Sequence, residues 1–132
     1  MDLEIIKFAS DTKNNRSIKN YTHQSKLKNS LCGDEIQIEL IIKNDKIVSF
    51  GYLGKSCIYC QASASLLSKT LIHVQISRIK ELYNDAKSYF DGDIEIIKKK
   101  WNSLDVLFKS KNLPRKECIL LPFKTLKKIV ST

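Results

Sequence analysis

Four cysteines, at positions 32, 57, 60 and 118, and one aspartate, Asp34, are the residues of this chain whose types and spacing could do chemistry. A thiolate is both a soft metal ligand and a sulfur nucleophile, and its formation is helped where free backbone N–H groups at a helix start favour the anion. Cys57 and Cys118 are both expected at such starts, which predicts thiols of lowered pKa. Asp34 follows Cys32 by two residues and points to the same side of an extended chain. Three thiolates and one carboxylate make a tetrahedral zinc set, or an asymmetric anchorage for iron with one harder oxygen ligand. The spacing alone does not choose between these, and buried cysteines acting only as small apolar residues fit it as well. Cys57-x-x-Cys60 lacks the second such pair a zinc ribbon needs, and it follows a hairpin rather than the first strand of a thioredoxin-like unit.

These residues must be brought together by the elements between them. From Glu35 the alternation of Ile36, Ile38, Leu40 and Ile42 with Gln37, Glu39 and Ile41 predicts a strand with one buried and one mostly polar face. Asn44 and Asp45 form a turn, and Ile47, Val48, Phe50 and Tyr52 continue a second strand, so residues 35–53 read as an antiparallel hairpin. A hairpin returns on itself, which makes Cys32 and Cys57 neighbours at one end. A short helix around Leu3–Ala9 precedes the hairpin. A polar, mobile connection over 10–30 follows it, with an edge strand near 21–24.

After the hairpin, Ala62, Ser63, Ala64 and Ser65 are small enough for a helix over 59–73 to pack closely on a sheet. Ser77 is placed to cap a second helix carrying Ile79, Leu82, Tyr83, Ala86 and Phe90 and ending at Gly92. A third helix over 94–108 presents Ile97, Trp101, Leu104 and Leu107 or Phe108 inward and Lys98, Lys99 and Lys100 outward. A break at 112–114 precedes a last helix opened by Cys118, with Ile119, Leu126, Ile129 and Val130 as core contacts. Trp101, Phe108 and Phe123 serve the core or a partner surface, and His23 and His73 take exposed or capping positions.

The size, 132 residues and 15.2 kDa, suits one domain spanning 1–132 with an ordinary core. No apolar run approaches the roughly 20 residues of a membrane span. The acidic start at Asp2 and Glu4 is unlike a secretory or transit leader, so a cytoplasmic protein with reduced thiols is expected. The formal charge is +9, yet all but three of the 23 basic residues are lysines spread along the chain. That distribution lacks the arginine forks and concentrated stripe of a nucleic-acid reader, and at most steers acidic partners.

Three segments in order, Asn29-Ser30-Leu31-Cys32-Gly33-Asp34, then Gly54-Lys55-Ser56-Cys57 with Gln61-Ala62-Ser63-Ala64-Ser65, then Arg115-Lys116-Glu117-Cys118-Ile119-Leu120-Leu121-Pro122-Phe123, resemble the U-type iron-sulfur cluster scaffold family of IscU, SufU and the NifU N-terminal domain. The resemblance implies an α+β fold, a small antiparallel sheet of a hairpin plus an edge strand packed by about four to five helices. It implies Cys32, Asp34, Cys57 and Cys118 as ligands of zinc, iron or a transient [2Fe-2S] cluster. It further implies sulfur delivered by a cysteine desulfurase, with Cys118 as acceptor, and release of the cluster to apo iron-sulfur proteins. An iron donor or frataxin-like protein and a monomeric or weakly dimeric state belong to the same expectation. Asp34 would be the labile oxygen ligand, and Gly33 and Gly54 would free the ligand loops.

The alternative within the same fold is a zinc-dependent SufU-like sulfurtransferase, whose relatives carry an insertion between the second and third cysteines; sixty residues separate Cys57 from Cys118 here. A small zinc-stabilised interaction domain without sulfur chemistry is the third reading. The chain departs from the family pattern at Glu117 (histidine in IscU-type members), Ser30 (proline) and Ser56 (glycine), and Cys60 occupies a place usually held by a small residue. The Leu-Pro-Pro-Val-Lys motif with which IscU members engage a heat-shock chaperone is absent, and only Leu113-Pro114-Arg115 remains of it.

Overall fold

A computed structural model describes residues 2–31, 33–93 and 95–131. Strands β2 (Glu35–Lys43) and β3 (Lys46–Lys55) form the expected antiparallel hairpin. Asn44 and Asp45 both take positive φ, 52° and 61°, the tight turn whose twist matches the strands. Strand β1 (His23–Lys28) pairs antiparallel with the free side of β2, giving the order β1-β2-β3. Ile36, Ile38 and Leu40 are buried, as the alternation requires, and a register shift at Ile41/Ile42 leaves Ile42 only partly covered. Near the end of the hairpin Gly54 lies opposite Ile36, where a Cβ would come within 2.1 Å of the Glu35 carbonyl oxygen. Only glycine permits that approach, and it draws the end of β3 onto the start of β2.

Five α-helices, α1 (Leu3–Ala9), α2 (Ile58–Thr70), α3 (Ile76–Phe90), α4 (Ile96–Lys100) and α5 (Lys116–Val130), accompany the sheet among the described residues, with 3-10 segments Asn102–Leu107 and Ser110–Arg115. Helix α5 packs on β1 and β2, and α2 on β3. The two helices touch each other, α1 covers α2, and α3 covers α5. Ala62, Ser63, Ala64 and Ser65 are at most 1% exposed, so the small residues of α2 serve the close approach predicted for them. Trp101, Phe108 and Phe123 are all core residues.

Several expectations are corrected. The cap of α3 is Gln75, not Ser77, and no side-chain hydrogen bond closes it. The helix expected over 94–108 is α4 followed by a 3-10 segment, and its first position, Ile94, lies outside the described residues. Trp101, at φ −138° and ψ 51°, interrupts it: its indole N–H donates to Asp85 Oδ2 at 3.2 Å and the Arg78 guanidinium lies 4.7 Å from the ring, so tertiary anchorage overrides the helical period. The break at 112–114 is a 3-10 turn, held by the buried Asn112 amide donating to the carbonyls of Val106 and Leu107.

The connection over 10–30, expected to be mobile, is pinned to the sheet. Glu39, assigned by alternation to the polar face, is 3% exposed beneath it. Its Oε1 accepts from Ser17 Oγ at 2.8 Å and from the Ile18 N–H at 3.0 Å.

Candidate metal and sulfur site

Asp34 stands immediately before β2, and Cys57 immediately precedes α2 as its N-cap. The Cys57 N–H donates to Asp34 Oδ1 at 3.2 Å, tying the two ends of the hairpin together. Upstream, Gly33 at φ 77° turns the chain, its N–H donating to Asn29 O while the Asn29 N–H donates to Asp34 O at 2.7 Å. Cys118 arrives from the other side, as the third residue of α5 and two positions inside the helix it was expected to open. Ser63 Oγ on α2 donates to the Ile119 carbonyl at 2.7 Å in the buried seam between the helices, and Arg115 lies over the Tyr59 ring at 5.5 Å. These contacts hold the start of α5 against the start of α2.

The result is a group of three ligand atoms, from Asp34, Cys57 and Cys118, all within 4.8 Å of one another. Asp34 and Cys118 are buried and Cys57 is half-buried. Asp34 Oδ2 is buried without a hydrogen-bond partner among the described residues. An unsatisfied buried carboxylate oxygen is costly, and beside two sulfurs it is an acceptor suited to a cation. Of the four residues expected as ligands from the sequence, the structure brings Asp34, Cys57 and Cys118 together, and Cys32 lies outside the described residues.

Burial pushes the Cys57 thiol up, and so do its hydrogen bond to Asp34 and that carboxylate's charge; the Cys60 amide and the Cys118 thiol favour the anion but do not offset them. This reverses the lowering expected at a helix start. Desolvation beside a carboxylate outweighs the free N–H groups, and a bound cation would stabilise the thiolate directly.

The sequence pattern of the NifU-like N-terminal domain matches residues 2–92. The chain belongs to that family. Among its relatives, the iron-sulfur cluster assembly scaffold protein IscU of Thermotoga maritima is 29% identical over 124 residues, covering 93% of this chain and 87% of the relative. An uncharacterised protein of Borreliella burgdorferi is 32% identical over 114 residues, covering 86% and 79%. The fold superposes on a SufU chain from Fervidobacterium islandicum, assigned as a cluster assembly scaffold for the SUF system, with TM-score 0.85, 24% identity and coverage of 98% and 96%. The N-terminal part of a NifU-like protein from Brucella abortus gives TM-score 0.74 at 16% identity, covering 98% and 91%. The α+β architecture expected from the motifs is therefore that of SufU and NifU N-terminal domains.

In this NifU-like domain Glu117 forms an ion pair with Lys124 at 3.3 Å and is not one of the three grouped ligands. Cys60 is fully buried in α2. His23 opens the edge strand and His73 sits at φ 68° with its N–H donating to Ile47 O, both exposed and structural in their contacts. The sequence reading gave no role to Leu31, 85% exposed beside Cys32 in the chain, nor to Ile58, 40% exposed beside Cys57. Both are apolar residues that stand next to a motif cysteine in the sequence.

Proposed function

We propose that the chain is an assembly scaffold on which an iron-sulfur cluster is built as cargo and then passed to apo-proteins. The observation that carries this reading is the grouping of Asp34, Cys57 and Cys118, with one buried Asp34 oxygen that has no hydrogen-bond partner among the described residues. Cys32, two residues from Asp34, is the fourth ligand by family resemblance. A cysteine desulfurase supplies sulfane sulfur to Cys118, ferrous iron comes from an iron donor, and the product is a [2Fe-2S] cluster held by three thiolates and one carboxylate. Oxygen binds iron less softly than sulfur, so the Asp34 bond is the one that opens when the cluster leaves. The name of the Thermotoga maritima relative supports the scaffold role.

Anaerobic incubation with a cysteine desulfurase, cysteine and ferrous iron tests this: a labile [2Fe-2S] chromophore on the chain is expected, and a spectrum no different from the desulfurase alone contradicts it.

One observation favours a second reading. The stretch from α4 through the two 3-10 segments lies between Cys57 and Cys118, the interval in which the family resemblance places the insertion of SufU-like members. A SufU-like sulfurtransferase would hold zinc on the same residues and accept persulfide sulfur without storing a cluster; tight zinc, sulfur uptake and no iron chromophore would identify it. In either case the protein acts as a single domain, monomeric or weakly dimeric, in the cytoplasm. No helix among the described residues is long and apolar enough to cross a membrane.

A further inference from the structure

Cys57 and Cys60 bracket the first turn of α2. Cys57 is the N-cap, with extended backbone at φ −71° and ψ 170°, and Cys60 is the third helical residue. The Gln61 N–H donates to Cys57 O at 3.0 Å, closing the turn, and the Cys60 amide is directed at the Cys57 sulfur. Residues three apart on a helix have Cβ atoms about 5 to 6 Å apart. A disulfide needs roughly 3.5 to 4.5 Å, a difference that backbone rotation at an N-cap, outside the helical ladder, can close. The two sulfurs differ in outlook: Cys57 is half-buried and belongs to the ligand group, whereas Cys60 is fully buried within the hydrophobic core. One thiol thus borders the place where cargo sulfur sits and the other backs it from the protein interior.

Resting on the sulfur-accepting role above, we propose that Cys60 is a resolving thiol that converts sulfane sulfur on Cys57 into sulfide. Sulfur arrives at the oxidation level of S(0), while a cluster contains sulfide, so two electrons per sulfur are needed. In the first step the Cys57 thiolate takes the terminal sulfur of a Cys118 persulfide; the sulfur–sulfur bond at Cys118 breaks, one at Cys57 forms, and Cys118 leaves as thiolate. In the second, the Cys60 thiolate attacks Cys57 Sγ. The Cys57–Cys60 bond forms, the bond to the terminal sulfur breaks, and hydrosulfide departs with the electron pair. The sum is two thiols plus one sulfane sulfur giving one disulfide plus hydrogen sulfide, with no outside reductant. A dithiol reductant of the thioredoxin class then exchanges with the disulfide, becoming oxidised itself and restoring Cys57 as a ligand.

The test loads wild-type protein, Cys60→Ala and Cys60→Ser anaerobically with sulfane sulfur and no reductant, using cysteine persulfide in one arm and a desulfurase with cysteine in the other. Released sulfide, intact mass and disulfide position are read after excess donor is removed. Wild type is expected to release one sulfide per Cys57–Cys60 disulfide and to finish two hydrogens lighter. The variants are expected to take up the same sulfur, stay one sulfur atom heavier, and release about tenfold less sulfide. Wild-type protein that takes up sulfur and keeps it as persulfide, or that pairs Cys57 with Cys118 instead, overturns the resolving role while leaving the acceptor role standing. No uptake from either donor overturns both. The wild-type arm decides without relying on how the variants fold.

Discussion

Two carboxylates lie buried five residues apart on the same stretch of chain, and they are treated in opposite ways. Glu39, in the middle of β2, has every oxygen engaged: Oε1 takes the Ser17 hydroxyl and the Ile18 N–H, and Oε2 takes the Gln37 side-chain amide at 2.9 Å. Asp34, at the mouth of the hairpin, accepts one N–H from Cys57 on Oδ1 and leaves Oδ2 buried with no partner among the described residues. A satisfied buried carboxylate can stabilise a fold, whereas one with an idle oxygen burdens it unless something else binds there. Glu39 accordingly reads as structural, fastening the N-terminal connection to the sheet. Asp34 reads as functional, sitting among two thiols with one lone-pair set in reserve.

Breaking the first carboxylate should give the largest effect on stability. Glu39→Ala strands the buried Ile18 N–H and frees the connection, and is expected to cost about 2 to 4 kcal/mol in urea unfolding. Metal stoichiometry of the protein that remains folded should not change. Ser63→Ala removes the hydrogen bond to the Ile119 carbonyl and should cost about 1 kcal/mol. Because that bond registers α5 on α2, metal titration should also show weaker binding. Asp34→Ala should shift stability by less than about 1 kcal/mol, since the lost N–H bond is balanced by the release of an unsatisfied oxygen. Its effect should instead appear as slower loss of the cluster to a chelator.

The smallest effect belongs to the Asp11–Lys69 ion pair. The hydrogen bond from Lys69 holds the partly exposed Asp11 carboxyl below its usual pKa, aided by the Lys13 N–H and the Lys69 charge. A depressed folded-state value contributes stability above the ordinary carboxylate pKa, and that contribution is lost as pH falls through the folded value. Lys69→Met should therefore lower the melting temperature slightly at neutral pH, with the difference closing below about pH 4. A difference that persists in acid would assign the effect to packing.

The hairpin and the buried faces of α3 and α5 were legible because period-2 and helical patterns are local. The return of the hairpin, which puts Cys32 beside Cys57 in the sequence reading, also accounts for the meeting of Cys57 with Asp34, two residues on from Cys32. The arrival of Cys118 had no local signal. It depends on α5 docking on α2 through Ser63, and only the order of motifs pointed to it. The fixed connection was illegible for a related reason: Asn14 donates to Ser68 Oγ at 2.9 Å and Ser17 donates to Glu39, long-range polar bonds that leave no periodicity. Trp101 looked like one more inward position on a helix, and its partners Asp85 and Arg78, on a neighbouring helix, turned it into a break. The Cys57 thiol was misjudged because helix position is visible in sequence and desolvation is not.

The measurement that tests the central claim most directly is iron, zinc and acid-labile sulfide content, with an absorption spectrum, of anaerobically reconstituted wild type, Cys118→Ala, Asp34→Ala and Glu39→Gln. The account predicts iron with sulfide in wild type and Glu39→Gln, loss of both in Cys118→Ala, and a more persistent cluster in Asp34→Ala. Full cluster content in Cys118→Ala, or an unchanged cluster lifetime in Asp34→Ala, would contradict it.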